Sequence, residues 1–192
     1  MCPRNARGPD HACDGIDNTP PSTMHIRRLT KADVAPYREL MLEAYAAADG
    51  SFISTFTERA PLPLRWWEER IAHEDGSSVT FGAFVDDVLA GTAGLKFEDR
   101  TRTRHKATLF GMYVAPAHRG VGLGKALIGA ALDCARTREA VTAAYLALTE
   151  GNAAALALYE ACGFIAYATE PMALRDDANA YRGVVHMWQR LR

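Results

Sequence analysis

Glycines at positions 120, 122 and 124 stand between a strand-like apolar run and a long helical one, in Tyr113-Val114-Ala115-Pro116-Ala117-His118-Arg119-Gly120-Val121-Gly122-Leu123-Gly124-Lys125. A strand that turns through alternate glycines into a helix lets backbone N–H groups point inward and approach a ligand closely. The helix N-terminus adds the positive end of its dipole, so the turn suits phosphate or pyrophosphate. Two familiar phosphate loops do not fit it. GxxxxGK[ST] fails because Ala126 follows Gly124-Lys125 and Arg119 stands where the first glycine should be. GxGxxG fails because Lys125 or Leu127 takes the last glycine's place, counting from Gly120 or from Gly122.

The rest of the chain reads as short strands and amphipathic helices in an irregular order. Residues 25–29 alternate as a first strand, and Thr30 with Asp33 looks like a capping box before a helix over 31–47, ended by Asp49-Gly50. Residues 51–62 read as irregular, and a helix over 64–73 stops at Gly76. Strands over 79–85 and 88–97 flank a tight Asp86-Asp87 turn, and 98–106 reads as an exposed loop. A strand over 107–114 contains Gly111, where a glycine signals a bulge or a close ligand approach. The loop 116–120 precedes a helix over 122–136. A strand over 145–149 follows, then a helix over 153–161 capped by Asn152 and ended by Gly163. Strands over 164–168 and 184–191 close the chain, joined by a long connection over 169–181. A mixed α/β fold with an antiparallel meander is expected, not the steady alternation of a doubly wound sheet.

Composition narrows the function classes. Lys and Arg total 22 against 23 Asp and Glu, a net charge of −1, which argues against a nucleic-acid-binding domain. No apolar run reaches the ~20 residues of a bilayer span, and the start of the chain carries no apolar segment of a secretory leader, so no membrane partner and a cytoplasmic location are expected. Cys2, Cys13, Cys134 and Cys162 form no CxxC pair, so no metal site is expected and the cysteines read as free thiols. Residues 1–23 are rich in Pro, Gly, Asn and Asp and read as a disordered extension, with one domain over 24–192.

Two signatures carry a resemblance. Arg119-x-x-Gly122-x-Gly124, after a strand and Val-x-Pro, resembles the pyrophosphate loop of the GNAT superfamily of N-acetyltransferases. Asn152-x-x-Ala155-x-x-Leu158-Tyr159-x-x-x-Gly163-Phe164 resembles the family's second signature, one strand later, and His186-Met187-Trp188 on a last strand is typical of it. The resemblance follows element order over 24–192 and is sharp over 110–164. It implies a mostly antiparallel twisted sheet of about seven strands with about four helices, splayed at the cofactor strands. It also implies acetyl-CoA as donor and a primary amine, on a small molecule or a protein, as acceptor.

The roles it implies can be given physical content. Backbone N–H groups of Gly120, Val121, Gly122, Leu123, Gly124 and Lys125 would hold the pyrophosphate, with Arg119 at the loop entrance. Met112, Tyr113 and Val114 would offer backbone hydrogen bonds to the pantetheine arm as an added strand, and an N–H there can polarise the thioester carbonyl. Asn152 would contact the pantetheine, or cap its helix, or both. Tyr159 would donate a proton to the departing thiolate; the alternative is an aromatic of the core. For the general base Glu43, Glu98, His105, Glu150, His186 and water stay open. Tyr45, Phe52, Phe56, Trp66 and Trp67, with the loop 169–181 and its Asp176 and Asp177, would form the acceptor pocket; each aromatic reads equally well as core. The basic run Arg100, Arg102, Arg104, His105 and Lys106 reads as a solvated hairpin loop. Rival readings are transfer of another acyl group and a module that binds acyl-CoA without turnover. Exposed sheet edges admit a homodimer.

Overall fold

The computed structural model describes residues 23–47, 52–175 and 179–192. Seven strands form one sheet: β1 (Met24–Arg28), β2 (Ser78–Val85), β3 (Val88–Phe97), β4 (Lys106–Val114), β5 (Ala143–Thr149), β6 (Ile165–Arg175) and β7 (Tyr181–Arg190). Their order is β1-β2-β3-β4-β5-β7-β6, and every neighbouring pair is antiparallel except β4 and β5. Five helices accompany them: α1 (Val34–Ala47), α2 (Phe56–Arg59), α3 (Leu64–Ile71), α4 (Leu123–Thr137) and α5 (Ala153–Ala161). The mixed α/β class, the strand count and the splay at the central strands are as the sequence led us to expect.

Alternation along the strands feeds two cores. Ala83 and Ala90 face a cluster with Leu127, Ile128, Ala131 and Ala135 of α4, while Phe84 and Leu89 face Tyr37, Met41 and Trp67 of α1 and α3. The α4 residues recur at helical spacing and are 0% exposed, so α4 packs one apolar face against β2, β3 and β4. Asp86 and Asp87 both have positive φ, 49° and 63°, which is the hairpin turn whose twist matches the flanking strands.

Two segments differ from their sequence reading. Residues 51–62 hold α2, started by a capping box in which Thr55 N donates to Glu58 Oε2 at 2.9 Å. The connection expected over 169–181 is strand up to Arg175. Its pairing with β7 jumps from Glu170↔Val184 to Leu174↔Arg182, so Pro171 and Met172 (φ 53°) sit in a wide irregularity inside a continuing ladder. Asp49-Gly50, Asp176, Asp177 and residues 1–22 lie outside the described residues.

The capping box expected at Thr30 is built around a buried carboxylate. Asp33 Oδ2 accepts from Thr30 N (2.8 Å) and Thr30 Oγ1 (3.0 Å), and both Asp33 oxygens accept from the Arg27 guanidinium (2.6 and 2.8 Å). The Arg27 bonds hold the Asp33 carboxyl well below the usual carboxylate range, although burial opposes them. A depressed folded-state value stabilises the fold above the unfolded carboxylate's pKa near 3.9, and that contribution is lost as pH falls further. Because Arg27 is 43% exposed, solvent screening trims the effect. Asp33→Asn should therefore lower unfolding free energy by about 1–2 kcal/mol at pH 7. Denaturant titrations should show the gap closing below pH ~4; a gap that does not change with pH would remove the ionic explanation.

Candidate active site

The sheet opens between its two parallel strands. β4 and β5 pair only at Lys106↔Ala143, Ala107↔Ala144 and Thr108↔Tyr145. Beyond Thr108 they diverge, while β4 stays bonded to β3 and β5 to β7. A bulge accompanies the divergence: on β4 the step from Phe110 to Tyr113 opposes the shorter step from Gly94 to Thr92, and Gly111 sits there at φ 58°. A bulge bends and twists its strand, so Gly111 turns β4 away from β5. The free edge of β4 over 109–114 is then a template for an extended ligand.

The gap is a cavity of about 1030 Å³. It is lined by Leu109, Phe110, Gly111, Met112, Tyr113 and Val114 of β4, by Ala147, Leu148 and Thr149 of β5, and by the glycine loop and α5. Eleven of the twelve distinct residues expected to touch the cofactor line it: Met112, Tyr113, Val114, Arg119, Gly120, Gly122, Leu123, Gly124, Lys125, Asn152 and Tyr159. Val121 lies outside the lining with its side chain 58% exposed.

The loop is built to present donors. Gly120 and Gly122 have φ of 82° and 88°, and a Cβ built on either would meet nothing within 4 Å, so the cradle is open. Gly122 is the N-cap of α4 and offers no capping side chain, and no acidic residue occupies the first turn. The helix ladder begins with Ala126 N donating to Gly122 O at 3.1 Å, so the earlier N–H groups are left for a ligand. Gly124 serves differently: a Cβ there would lie 3.0 Å from Leu158 Cδ2 and 3.2 Å from Met112 Cε, so its absence lets α4 approach α5 and β4. Arg119 Nε donates to Val114 O at 2.9 Å and its guanidinium lies 5.7 Å from the Tyr113 ring centre, tying the loop back to the strand. A pyrophosphate and an extended arm fit this arrangement of donors, open cradle, basic side chains and unpaired edge.

α5 brings the second signature to the cavity. Asn152 Oδ1 accepts from Ala155 N at 3.1 Å, so Asn152 caps α5 while lining the cavity. Tyr159 is 7% exposed, packs edge-on against Phe164 at 6.0 Å, and also lines the cavity. Burial pushes its phenol well above the ordinary range, with the Cys162 thiol adding to it. Tyr159 is thus packed as a core aromatic and also reaches the cavity.

The acceptor-side expectations divide. Tyr45 and Phe52 line the cavity, in edge contact at 5.3 Å. Trp67 is 0% exposed and belongs to the core, edge-on to Tyr37 of α1 at 6.0 Å. Phe56 is 44% exposed and lies off the cavity, and Trp66 lines an adjoining hollow of about 390 Å³. None of Glu43, Glu98, His105, Glu150 and His186 is among the lining residues. Glu43 accepts from Tyr113 Oη at 3.0 Å, and His186 Nε2 lies 3.3 Å from Glu170 Oε2. Among the described residues no Asp or Glu lines the cavity at all. Sequence reading missed Ser54, Arg70, Thr108, Thr149 and Val184, which also line the cavity. The described residues contain no cluster of three or more metal-ligating side chains, and no helix among them is long and apolar enough to cross a membrane.

Known proteins share this architecture. Residues 39–164 match the Acetyltransferase (GNAT) family. Spermidine N(1)-acetyltransferase of Vibrio cholerae serotype O1 is 27% identical over 137 residues, covering 66% of this chain and 79% of that protein. Streptothricin acetyltransferase of Streptomyces lavendulae is 37% identical over 98 residues, half of each chain. The structure of yncA from Salmonella typhimurium with its cofactor acetyl-CoA superposes with a TM-score of 0.74 at 24% identity, covering 89% of this chain and 95% of that one. The splayed strands, the glycine loop at the start of α4 and these matches lead to one conclusion: the chain belongs to the GNAT family and is an acetyl-CoA-dependent acetyltransferase.

Proposed function

We propose that the protein is an N-acetyltransferase that moves the acetyl group of acetyl-CoA directly to a primary amine in a ternary complex. The observation that carries it is the cavity itself, which runs from the donor-rich glycine loop past the free edge of β4 to a wall of aromatic, hydroxyl and guanidinium groups. The names of two relatives, which act on spermidine and streptothricin, support an amine acceptor. Acetyl-CoA supplies an activated thioester. The chain's own residues do the rest. The N–H groups of residues 120–125 bind the pyrophosphate, helped by the α4 dipole and by Lys125. Met112 to Val114 orient the arm by strand-like bonds, and an N–H of that stretch stabilises charge on the carbonyl oxygen. Asn152 fixes the start of α5, so that Tyr159 is held facing the gap. Tyr159 remains neutral and donates toward the leaving sulfur. An acceptor ammonium with pKa near 10 must lose a proton first. Among the described residues no carboxylate lines the cavity and His118 does, so that proton leaves to His118 or to water.

The test combines two readouts on the full chain. Excess acetyl-CoA at about 100 times its dissociation constant should add ~2.7 kcal/mol, a rise in melting temperature of roughly 5–11 °C. Amine-dependent thiol release should follow with a panel of primary amines. Stabilisation without thiol release from any amine would leave a module that binds acyl-CoA without turnover. No stabilisation would overturn the cofactor site.

A further inference from the structure

The cavity is lined by a cation, Arg70, whose contacts include no carboxylate among the described residues; Glu69, which lines the adjoining hollow, accepts from Arg65 Nε at 3.0 Å instead. Arg70, in the last turn of α3, lines both the main cavity and the adjoining hollow. Its backbone carbonyl accepts from Ser78 Oγ (3.0 Å) and Thr80 Oγ1 (3.3 Å), which pins this turn to β2. Its guanidinium lies between two rings, 5.3 Å from the centre of Trp66 and 4.5 Å from that of Phe110. Nε donates to the buried hydroxyl of Tyr37 at 3.1 Å. Phe110 is held in turn by Gly94, whose missing Cβ would fall 2.4 Å from the ring. Every contact fixes the plane and the Nε side of the fork, and none is a carboxylate among the described residues. A second arginine, Arg59, stacks on Trp66 at 4.7 Å and donates to Ser54 Oγ at 2.6 Å, so the same corner carries further positive charge.

A half-buried guanidinium held by aromatic stacking is preorganised for a planar anion, which it takes through two parallel N–H bonds. Its position tells where that anion would lie. Arg70 Nη2 is 3.6 Å from the point a Cβ on Gly111 would occupy. Gly111 directly precedes Met112, and adjacent Cα atoms are about 3.8 Å apart. The cation therefore stands beside the strand segment that orients the thioester arm, within reach of one small molecule carrying both an amine and an acid.

Resting on the amine-acceptor reading, we infer that Arg70 anchors the carboxylate of the acceptor, so that the substrate class is amino acids with apolar side chains and not polyamines. Tyr45, Phe52, Ile53 and Val184 line the space left for such a side chain. A polyamine would meet the Arg70 cation and, among the described residues, no carboxylate lining the main cavity.

The test uses matched pairs: L-leucine with L-leucinamide, and L-phenylalanine with L-phenylalaninamide, plus spermidine, each with saturating acetyl-CoA and thiol-release detection. Arg70→Gln should lower kcat/KM for the two acids about 10–100-fold, chiefly through KM, and leave the amides within about twofold. Arg70→Lys, which restores charge without the fork, should recover part of the loss. An equal loss on acids and amides, or a wild-type preference for spermidine, would overturn the inference and leave the transferase standing. Should Arg70→Gln not fold, product inhibition of the wild type decides: N-acetyl-L-leucine should inhibit at least about tenfold better than N-acetyl-L-leucinamide, and equal inhibition would overturn the inference. Thiol release from no amine, with acetyl-CoA still stabilising the fold, would overturn the amine transfer and this inference together.

Discussion

Gly122→Val is expected to fold and to lose the stabilisation by acetyl-CoA that the wild type shows. Two separate effects are involved, and they can be told apart. Gly122 holds φ 88° at the N-cap of α4, a left-handed conformation that costs an L-residue about 1–2 kcal/mol and a β-branched one more. That strain lowers the melting temperature of the free protein by several degrees, at about 2–4 °C per kcal/mol for this size. The second effect concerns space. Nothing lies within 4 Å of a Cβ at this position, so the valine Cβ meets no protein atom and its methyl groups extend into the open cradle where the pyrophosphate oxygens approach. The roughly 5–11 °C rise with excess acetyl-CoA should therefore vanish, which strain alone would not cause. Gly129→Ala supplies the control. It lies inside the same helix, also with nothing within 4 Å, and should gain up to about 1 kcal/mol while keeping the ligand shift. A full acetyl-CoA shift in Gly122→Val would overturn the assignment of the loop.

What the sequence could reveal depended on how far apart the interacting residues lie along the chain. The glycine loop was readable because its chemistry is local: Arg119, Gly122 and Gly124 act within one turn, and their spacing states the geometry directly. The capping boxes at Thr30 and Thr55 are equally local. The second is masked in the sequence by Phe52, Phe56, Pro61 and Pro63, which give the segment an irregular pattern around Thr55-x-x-Glu58. A glycine inside a strand signals a bulge or an approach site, and Gly111 is a bulge that lines the cavity. The divergence it produces depends on β5 lying alongside, which no local pattern states. A strand over 164–168 followed by a connection over 169–181 is what the sequence suggests, whereas β6 runs on to Arg175 because a ladder irregularity absorbs Pro171 and Met172. Arg70 was out of reach altogether. Its spacing of four from Trp66 is visible, but its stacking partner Phe110 is on β4 and its hydrogen-bond partner Tyr37 is on α1. Only the docking of α3 against the sheet makes the three neighbours.

Tyr159→Phe should leave acetyl-CoA binding intact and lower kcat by about a hundredfold or more, the lower range for a positioned proton donor. The substitution removes one oxygen. The ring keeps its edge contact with Phe164, and the cavity wall keeps its shape, so the melting temperature and the acetyl-CoA shift should stay close to wild type. The buried environment sets how the phenol works. Raised above its ordinary value, it stays neutral through the accessible pH range and cannot act as a base there. It is also a weaker acid than a free tyrosine, while a thiol ionises near 8.5. Complete transfer to a free thiolate would thus be uphill, and the gain lies in a hydrogen bond that strengthens as charge builds on sulfur. Two results should follow. The pH profile of kcat should show no alkaline limb owed to Tyr159 below pH ~10. Acceptors should differ little in the size of the Tyr159→Phe defect, since the phenol acts on the leaving group common to all of them. An unchanged kcat in Tyr159→Phe would return the residue to the core alone, as a ring that closes the back of the cavity against Phe164.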